Sequence, residues 1–291
     1  MKYCIPYYRD FHYLNEIDEV IVPFNDSLDF FKRLIDKKRI HHSRIILDIE
    51  DSMVFHEDWK TYYPVLKELK EKHEINYALR FDVYSELFLD FYEELKLLGI
   101  QFFFKTFVRD WDVFHGFIEL GVSDLYIVES LAFELNLLGP AAHAKGISIR
   151  VFANVCQNSW SGGDSLKSFF IRPEDVETYA PYVDVIELFE GNVNLSTLYK
   201  IYAKDKKWFG DLQDIITGLN QPLDSRRVLP FFAEMRVKCG KKCMKGNPCK
   251  ICERIASAAK TLEEHNFILK RNPNFDFLDV KDEDDEEEID F

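Results

Sequence analysis

Short apolar runs rich in β-branched and aromatic residues recur along the first two thirds of the chain, separated by stretches with helical periodicity. Eight runs stand out: EVIVPF (19–24), RIILDIE (44–50), NYALRFD (76–82), QFFFKTF (101–107), DLYIVES (124–130), ISIRVFANV (147–155), KSFFIR (167–172) and VDVIELF (183–189). Most are continuous rather than alternating, the pattern of parallel strands covered on both faces. Between them, 28–38, 58–72, 86–98, 111–120 and 131–145 place apolar residues on one stripe, as amphipathic helices do. Gly99, Gly121 and Gly146 each fall between a helix and the next strand, where a left-handed cap belongs. Pro173, followed by Glu174 and Asp175, is a helix start.

Alternating strands and helices predict an α/β protein with right-handed crossovers, and eight strands predict a TIM-like (β/α)8 barrel. The strands occupy only residues 19–189, near the lower limit of roughly 200 residues for that fold, so the expected barrel is irregular or incompletely closed. An open doubly wound sheet is the alternative. The predicted organisation is a barrel over 1–210, a connecting segment with a cysteine module and helix over 211–268, and an acidic, disordered tail over 269–291.

With 47% hydrophobic residues, the chain can build a large core. No apolar run reaches the roughly 18 residues of a membrane span. The start, MKYCIPYYRDFHY, lacks a secretory apolar stretch, which predicts a cytoplasmic protein with no membrane partner. Charge divides the chain further. Residues 1–225 hold 24 basic and 37 acidic residues, 226–254 hold 9 and 2, and 255–291 hold 4 and 12. This acidic balance argues against broad nucleic-acid binding, while the basic segment leaves a local RNA contact open. In the tail, Ile289 and Phe291 lie beyond the acidic run, which suggests a peptide that docks on a protein partner or on the chain's own basic module.

Charged residues recur late in the strands. Asp48 and Glu50 share one side of their strand, Arg80 and Asp82 share one side of theirs, and Lys105, Glu129 and Glu187 come late on theirs. Arg150 and Asn154 share parity on the 147–155 run, and Arg172 ends the 167–172 run. In a barrel these ends form one mouth, where active sites sit. The candidate catalytic set is therefore Asp48, Glu50, Arg80, Asp82, Lys105, Glu129, Arg150, Asn154 and Arg172. The cations would hold a small anionic substrate, and the carboxylates would serve as acid, base or magnesium ligand. A structural ion-pair network is the competing reading.

The most specific chemical signal is KCGKKCMKGNPCKIC, with Cys239, Cys243, Cys249 and Cys252 spaced C-x3-C-x5-C-x2-C. Four thiolates so close can converge on one metal centre, and the surrounding basic residues, Arg236 among them, favour thiolate over thiol. Zinc and an iron–sulfur cluster both fit. Cys4 reads as a buried core residue, and Cys156 as a thiol near the barrel's functional end.

The order ISIRVFANVCQNS, SFFIRPEDVETY, VDVIEL and a late cysteine cluster resembles the collagenase-like peptidases (peptidase family U32). Asn154, Cys156, Phe170 to Asp175 and the four late cysteines carry the likeness, which covers roughly residues 120–256. The family's Glu-Phe-Gly segment is absent. The resemblance implies a barrel, a modification role such as that of RNA-modifying members, and an iron–sulfur cluster, which tips the choice of metal slightly that way. Separately, VPFNDSLDFFKRL with ILDIEDS resembles the opening of citrate lyase β-subunit-like aldolases, which implies a magnesium-dependent barrel enzyme. A non-catalytic assembly protein with a structural zinc module is the third reading.

Overall fold

The computed structural model describes residues 1–7, 11–24, 44–49, 59–72, 77–81, 89–105, 108–128, 131–156, 166, 168–219, 221–239 and 250–260. Eight strands are present: β1 (Lys2–Pro6), β2 (Glu19–Pro23), β3 (Arg44–Ile49), β4 (Tyr77–Phe81), β5 (Gln101–Phe104), β6 (Asp124–Tyr126), β7 (Ser148–Phe152) and β8 (Val185–Glu187). They form one parallel sheet in the order β5-β4-β3-β2-β1-β8-β7-β6. The two ends meet: Ser123 N donates to Phe102 O at 3.0 Å, Val108 N donates to Tyr126 O at 3.0 Å, and Val108 bridges Ile127 in parallel. The result is a nearly closed TIM-like barrel.

The expected strand total holds, but one member differs. Lys2–Pro6 is the first strand, pairing with both β2 and β8. It is short and ends in proline, so the sequence pattern hides it. Its burial still follows strand alternation, with Cys4 inward and Tyr3 and Ile5 outward. The 167–172 run is not a strand. Phe169, Phe170 and Ile171 are all buried, and Ile171 N donates to Ala153 O at 2.9 Å, but the segment lies in the outer layer. Continuous burial made it resemble a strand.

Alternation builds two cores. Cys4, Ile21, Ile46, Ala78, Phe103, Tyr126 and Val185 fill the barrel interior, with Phe152 beside them. Residues of opposite parity, such as Val20, Val22, Ile45, Leu47, Leu79, Phe81, Ile149 and Val151, face the helical layer. That layer includes α1 (Trp59–Lys72), α2 (Leu89–Leu97), α3 (Trp111–Leu120) and α4 (Leu135–His143). Gly99, Gly121 and Gly146 adopt φ of 67°, 80° and 72°, the left-handed caps expected. A short 3-10 turn, Pro173–Asp175, leads into α5 (Val176–Tyr179). The expected helix over 28–38 lies outside the described residues.

Beyond the barrel, α6 (Leu195–Tyr199) is capped by Asn194, which accepts from Thr197 N at 2.9 Å, and runs into a π-helical stretch, Lys200–Asp205. Next come α7 (Leu212–Ile215), α8 (Phe232–Val237) and α9 (Ile251–Ala259). Antiparallel bridges Asp211–Asp224 and Leu223–Lys260 tie this part together, and Val155–Thr217 joins it to the end of β7. Among the described residues, no helix is long and apolar enough to cross a membrane.

Candidate active site at the barrel mouth

Asp48, Arg80 and Lys105 follow from strand parity: each points inward and sits at or just past the C-terminal end of its strand. Arg80 is the hub. Its Nε and Nη2 donate to the two Asp48 carboxylate oxygens, both at 3.0 Å. Its Nη1 donates to Glu187 at 3.2 Å and 3.4 Å and to the Tyr126 hydroxyl at 3.2 Å. Tyr126 in turn donates to Glu187. Lys105 Nζ closes the network on Asp48 Oδ2 at 2.7 Å. Phe152 stacks on Tyr126, with ring centroids 5.1 Å apart, and Phe189 packs edge-on against Phe152 at 4.9 Å.

Burial divides this cluster. Arg80, Tyr126 and Glu187 form a buried floor, whereas the side chains of Asp48 and Lys105 are 20% and 31% exposed. Burial alone would lower the Arg80 pKa. Glu187, Tyr126 and Asp48 reverse that and hold the guanidinium firmly charged. Burial, reinforced by the Glu187 charge, pushes the Tyr126 phenol well above its ordinary value, so it remains a hydrogen-bond donor. Neither Tyr126 nor Glu187 belongs to the sequence-derived catalytic set. Their signal was parity: Tyr126 shares the inward side with Asp124, and Glu187 is the partner of Cys4 and Phe152 in register.

Glu50 and Asp82 follow Asp48 and Arg80 by two positions in sequence. Like Glu129, they lie outside the described residues.

Arg150 does not join the mouth. It faces inward from β7, but its guanidinium turns toward the start of the strands. There Nη1 lies 2.7 Å from Glu19 and 3.0 Å from Asp124. Arg44 completes this lower layer, 3.4 Å from Glu19, 3.3 Å from Asp124 and 2.7 Å from Gln101. The Arg150 guanidinium also lies 5.0 Å from the Phe103 ring centroid and 5.5 Å from that of Tyr126. For Asp124, burial favours the neutral acid, but Arg150, Arg44 and the Ser123 hydroxyl together hold its pKa below the ordinary carboxylate value. This layer is the buried ion-pair network foreseen as the competing reading. It forms at the opposite end from the mouth.

Asn154 and Arg172 are placed elsewhere again. Asn154 lies past the end of β7, donates to Phe189 O at 2.7 Å and accepts from Phe189 N at 2.9 Å, so it clasps the backbone following β8. Arg172 lies in the outer layer. It grips Asp175 with Nε at 2.6 Å and Nη2 at 2.7 Å, and its Nη1 donates to Ser225 O at 3.2 Å. Nearby, Arg236 is buried among the rings of Phe133, Phe169, Phe170 and Phe232 and donates to the Phe170 and Ser168 carbonyls. It therefore belongs to the packing and not to an exposed basic surface.

Of the four-cysteine module, Cys239 lies two residues past α8 and Cys252 in the first turn of α9. Both are half-buried against the core. Cys243 and Cys249 lie outside the described residues. Among the described residues, no group of three or more His, Cys, Asp or Glu side chains is gathered to hold a metal. Cys4 is fully buried inside the barrel, where burial keeps its thiol protonated.

No protein-family model matches the chain, and no curated protein matches it. Among solved structures, it is similar to the U32 peptidase Mk0906, at 11% identity over 66% of this chain and 93% of that one, with a TM-score of 0.42. It is also similar to the EAL enzyme Bd1971 in its cAMP- and cyclic-di-GMP-bound form, at 16% identity and a TM-score of 0.31. That match covers 43% of this chain and 37% of the Bd1971 chain. The EAL domain of Mycobacterium smegmatis DcpA gives 14% identity and a TM-score of 0.33, over 43% of this chain and 63% of that one. The barrel rests on this chain's own ladders, and none of these likenesses assigns a substrate or a reaction.

Proposed function

We propose that the chain is an enzyme that binds a small anionic substrate at the C-terminal mouth of its barrel. One observation carries this reading. Lys105 and Asp48 are the half-open members of a network whose other described members are buried and committed to one another. The Arg80–Glu187–Tyr126 floor fixes Asp48 through a bidentate contact, the kind of rigid support that precise positioning needs. A substrate carboxylate or phosphate would take Lys105 as its counter-ion in place of Asp48. Asp48, still held by Arg80, would then present a carboxylate oxygen to accept a substrate proton. Phe152 and Phe189 would exclude water from one side. Magnesium finds little support in the described carboxylates, because Asp48 and Glu187 are already spent on Arg80.

The resemblance of residues 120–256 to the collagenase-like peptidases supports the same enzymatic reading, with RNA modification as one outlet. Cys239, two residues past α8, and Cys252, in the first turn of α9, have the donor chemistry for a metal or cluster that Cys243 and Cys249 would complete. An iron–sulfur cluster would supply electron transfer, and zinc a structural tie.

The test is calorimetric titration of the purified protein with a panel of small carboxylates and phosphates, repeated for Lys105→Met and Asp48→Asn. The expected result is saturable binding of at least one anion, lost in Lys105→Met and kept in Asp48→Asn, with turnover lost in both. Equal binding by wild type and Lys105→Met would overturn the reading.

A further inference from the structure

The stretch that holds α8 and α9 concentrates cations and exposed apolar side chains. Some exposed lysines elsewhere are neutralised locally: Lys96 pairs with Glu93 at 2.7 Å, Lys204 with Glu16 at 2.9 Å, and Lys206 with Glu177. On the C-terminal unit, Arg226 and Arg227 are similarly tied to Asp224. Lys238, Lys250, Arg254 and Lys260 are exposed and, among the described residues, make no ion pair. The same stretch of chain carries one exposed acid, Glu234, and large apolar side chains open to water: Phe231 at 54%, Ile251 at 45% and Leu229 at 39% exposure. In a chain of net charge −14, a positive, apolar-studded face calls for an acidic, apolar-tipped occupant.

The chain carries such a segment itself. Residues 279–291 hold nine acidic residues against one lysine, with Ile289 and Phe291 beyond the acidic run. The path to it starts on the same face. Lys260 bridges Leu223, and its carbonyl accepts from Arg227 at 3.3 Å. The 19 residues from there to Asp279 would span about 25 Å as a coil and up to about 65 Å extended, enough to cross a unit of three short helices. Tethering of this length gives an effective concentration on the order of millimolar, so even weak charge pairing suffices.

We infer that Asp279–Phe291 docks on the α8–α9 face of its own chain. The acids meet Lys238, Lys250, Arg254 and Lys260, while Ile289 and Phe291 meet Leu229, Phe231 and Ile251. The docked segment shields the four-cysteine unit from other polyanions. This inference is independent of the substrate proposed for the barrel mouth.

The direct test places the photo-crosslinking residue p-benzoylphenylalanine at position 291 of the full chain. Irradiation of a dilute sample should give intrachain links to residues 229–258. Links between chains, links elsewhere, or none would overturn the proposal. A second measurement follows a fluorescent 20-nucleotide oligouridylate, used as a polyanion probe, by anisotropy. A full chain whose acids at 282–288 are replaced by their amides should bind it roughly tenfold more tightly than wild type at low salt, and the gap should close near 0.5 M salt. Identical probe binding by the two proteins at low salt would refute the shielding.

Discussion

Replacing Arg150 by methionine tests whether the lower charged layer holds the barrel together. The substitution keeps much of the side chain's volume and its contact with Phe103 and Tyr126 while removing the charge. Two carboxylates lose a close partner: Glu19 at 2.7 Å and Asp124 at 3.0 Å. Each pair is worth about 4 kcal/mol at an effective dielectric of about 20, before desolvation is subtracted. Arg44 stays near both acids and recovers part of the loss. Removing one partner from a buried network typically costs about 3–5 kcal/mol, and that is the expected loss here at pH 7.

The pH dependence supplies an independent check on the same variant. In the wild type Asp124 has a depressed pKa, so its contribution is present above the unfolded value of about 3.9 and is lost as pH falls through the folded value. In the variant, burial remains but the strongest opposing charge is gone, so the Asp124 pKa rises. The penalty then persists at neutral pH and is relieved as the acid becomes protonated. The stability gap between the two proteins should therefore narrow from pH 7 toward about pH 4. Urea unfolding followed by circular dichroism at several pH values measures it. A gap below about 1 kcal/mol at pH 7, or one that widens on acidification, would refute the assignment.

Other outcomes follow from single contacts. Asn154→Ala leaves the Phe189 N–H and C=O without their side-chain partner and should cost about 1–3 kcal/mol, read as a lower denaturation midpoint. Gly139→Ala puts a methyl group 2.8 Å from the Tyr182 Cα and carbonyl oxygen, both backbone atoms, and should lower Tm through a loss of about 1–3 kcal/mol; an unchanged Tm would mean the α4 contact yields freely. Burial pushes the Cys156 thiol up to about 12, against a lowering by Arg236. Its alkylation by iodoacetamide at pH 8, followed by peptide mapping, should therefore run roughly a thousandfold slower in the native protein than in urea.

Strand parity made half of the mouth legible in sequence. Asp48, Arg80 and Lys105 alternate with outward apolar residues, and their late position fixed both side and end. Parity does not give the direction in which a long side chain runs along the barrel axis. Arg150 shares its side of β7 with Phe152, yet its guanidinium turns down because Glu19 and Asp124, the first residues of β2 and β6, are buried there and need a cation. For Asn154 parity no longer applied, since β7 ends at Phe152, and the side chain became a backbone clasp. The placement of Arg172 at a strand end rested on the one run that is not a strand. Conversely, Tyr126 was hidden because a tyrosine in an apolar run reads as core, and it is core; only its hydroxyl belongs to the network.

The two charged layers contain the same kinds of residue, and what separates them is access to water. The lower layer brings together two arginines and two acids with the Arg44 side chain 14% exposed and the other three 1% or less, so its balance of charge is complete and closed. Among the described residues the upper layer also balances, with Arg80 and Lys105 against Asp48 and Glu187, but its two outermost members remain half-open. A closed network resists exchange because every departing partner leaves a buried charge behind. In the binding mode proposed above, Lys105 trades Asp48 for the incoming anion while Arg80 keeps Asp48 in place, and the carboxylate left in excess is Asp48, the one that water reaches. That asymmetry favours the C-terminal end as the place for the proposed ligand, with the Tyr126 ring set between the layers, 5.5 Å from the Arg150 guanidinium and bonded to Arg80 through its hydroxyl.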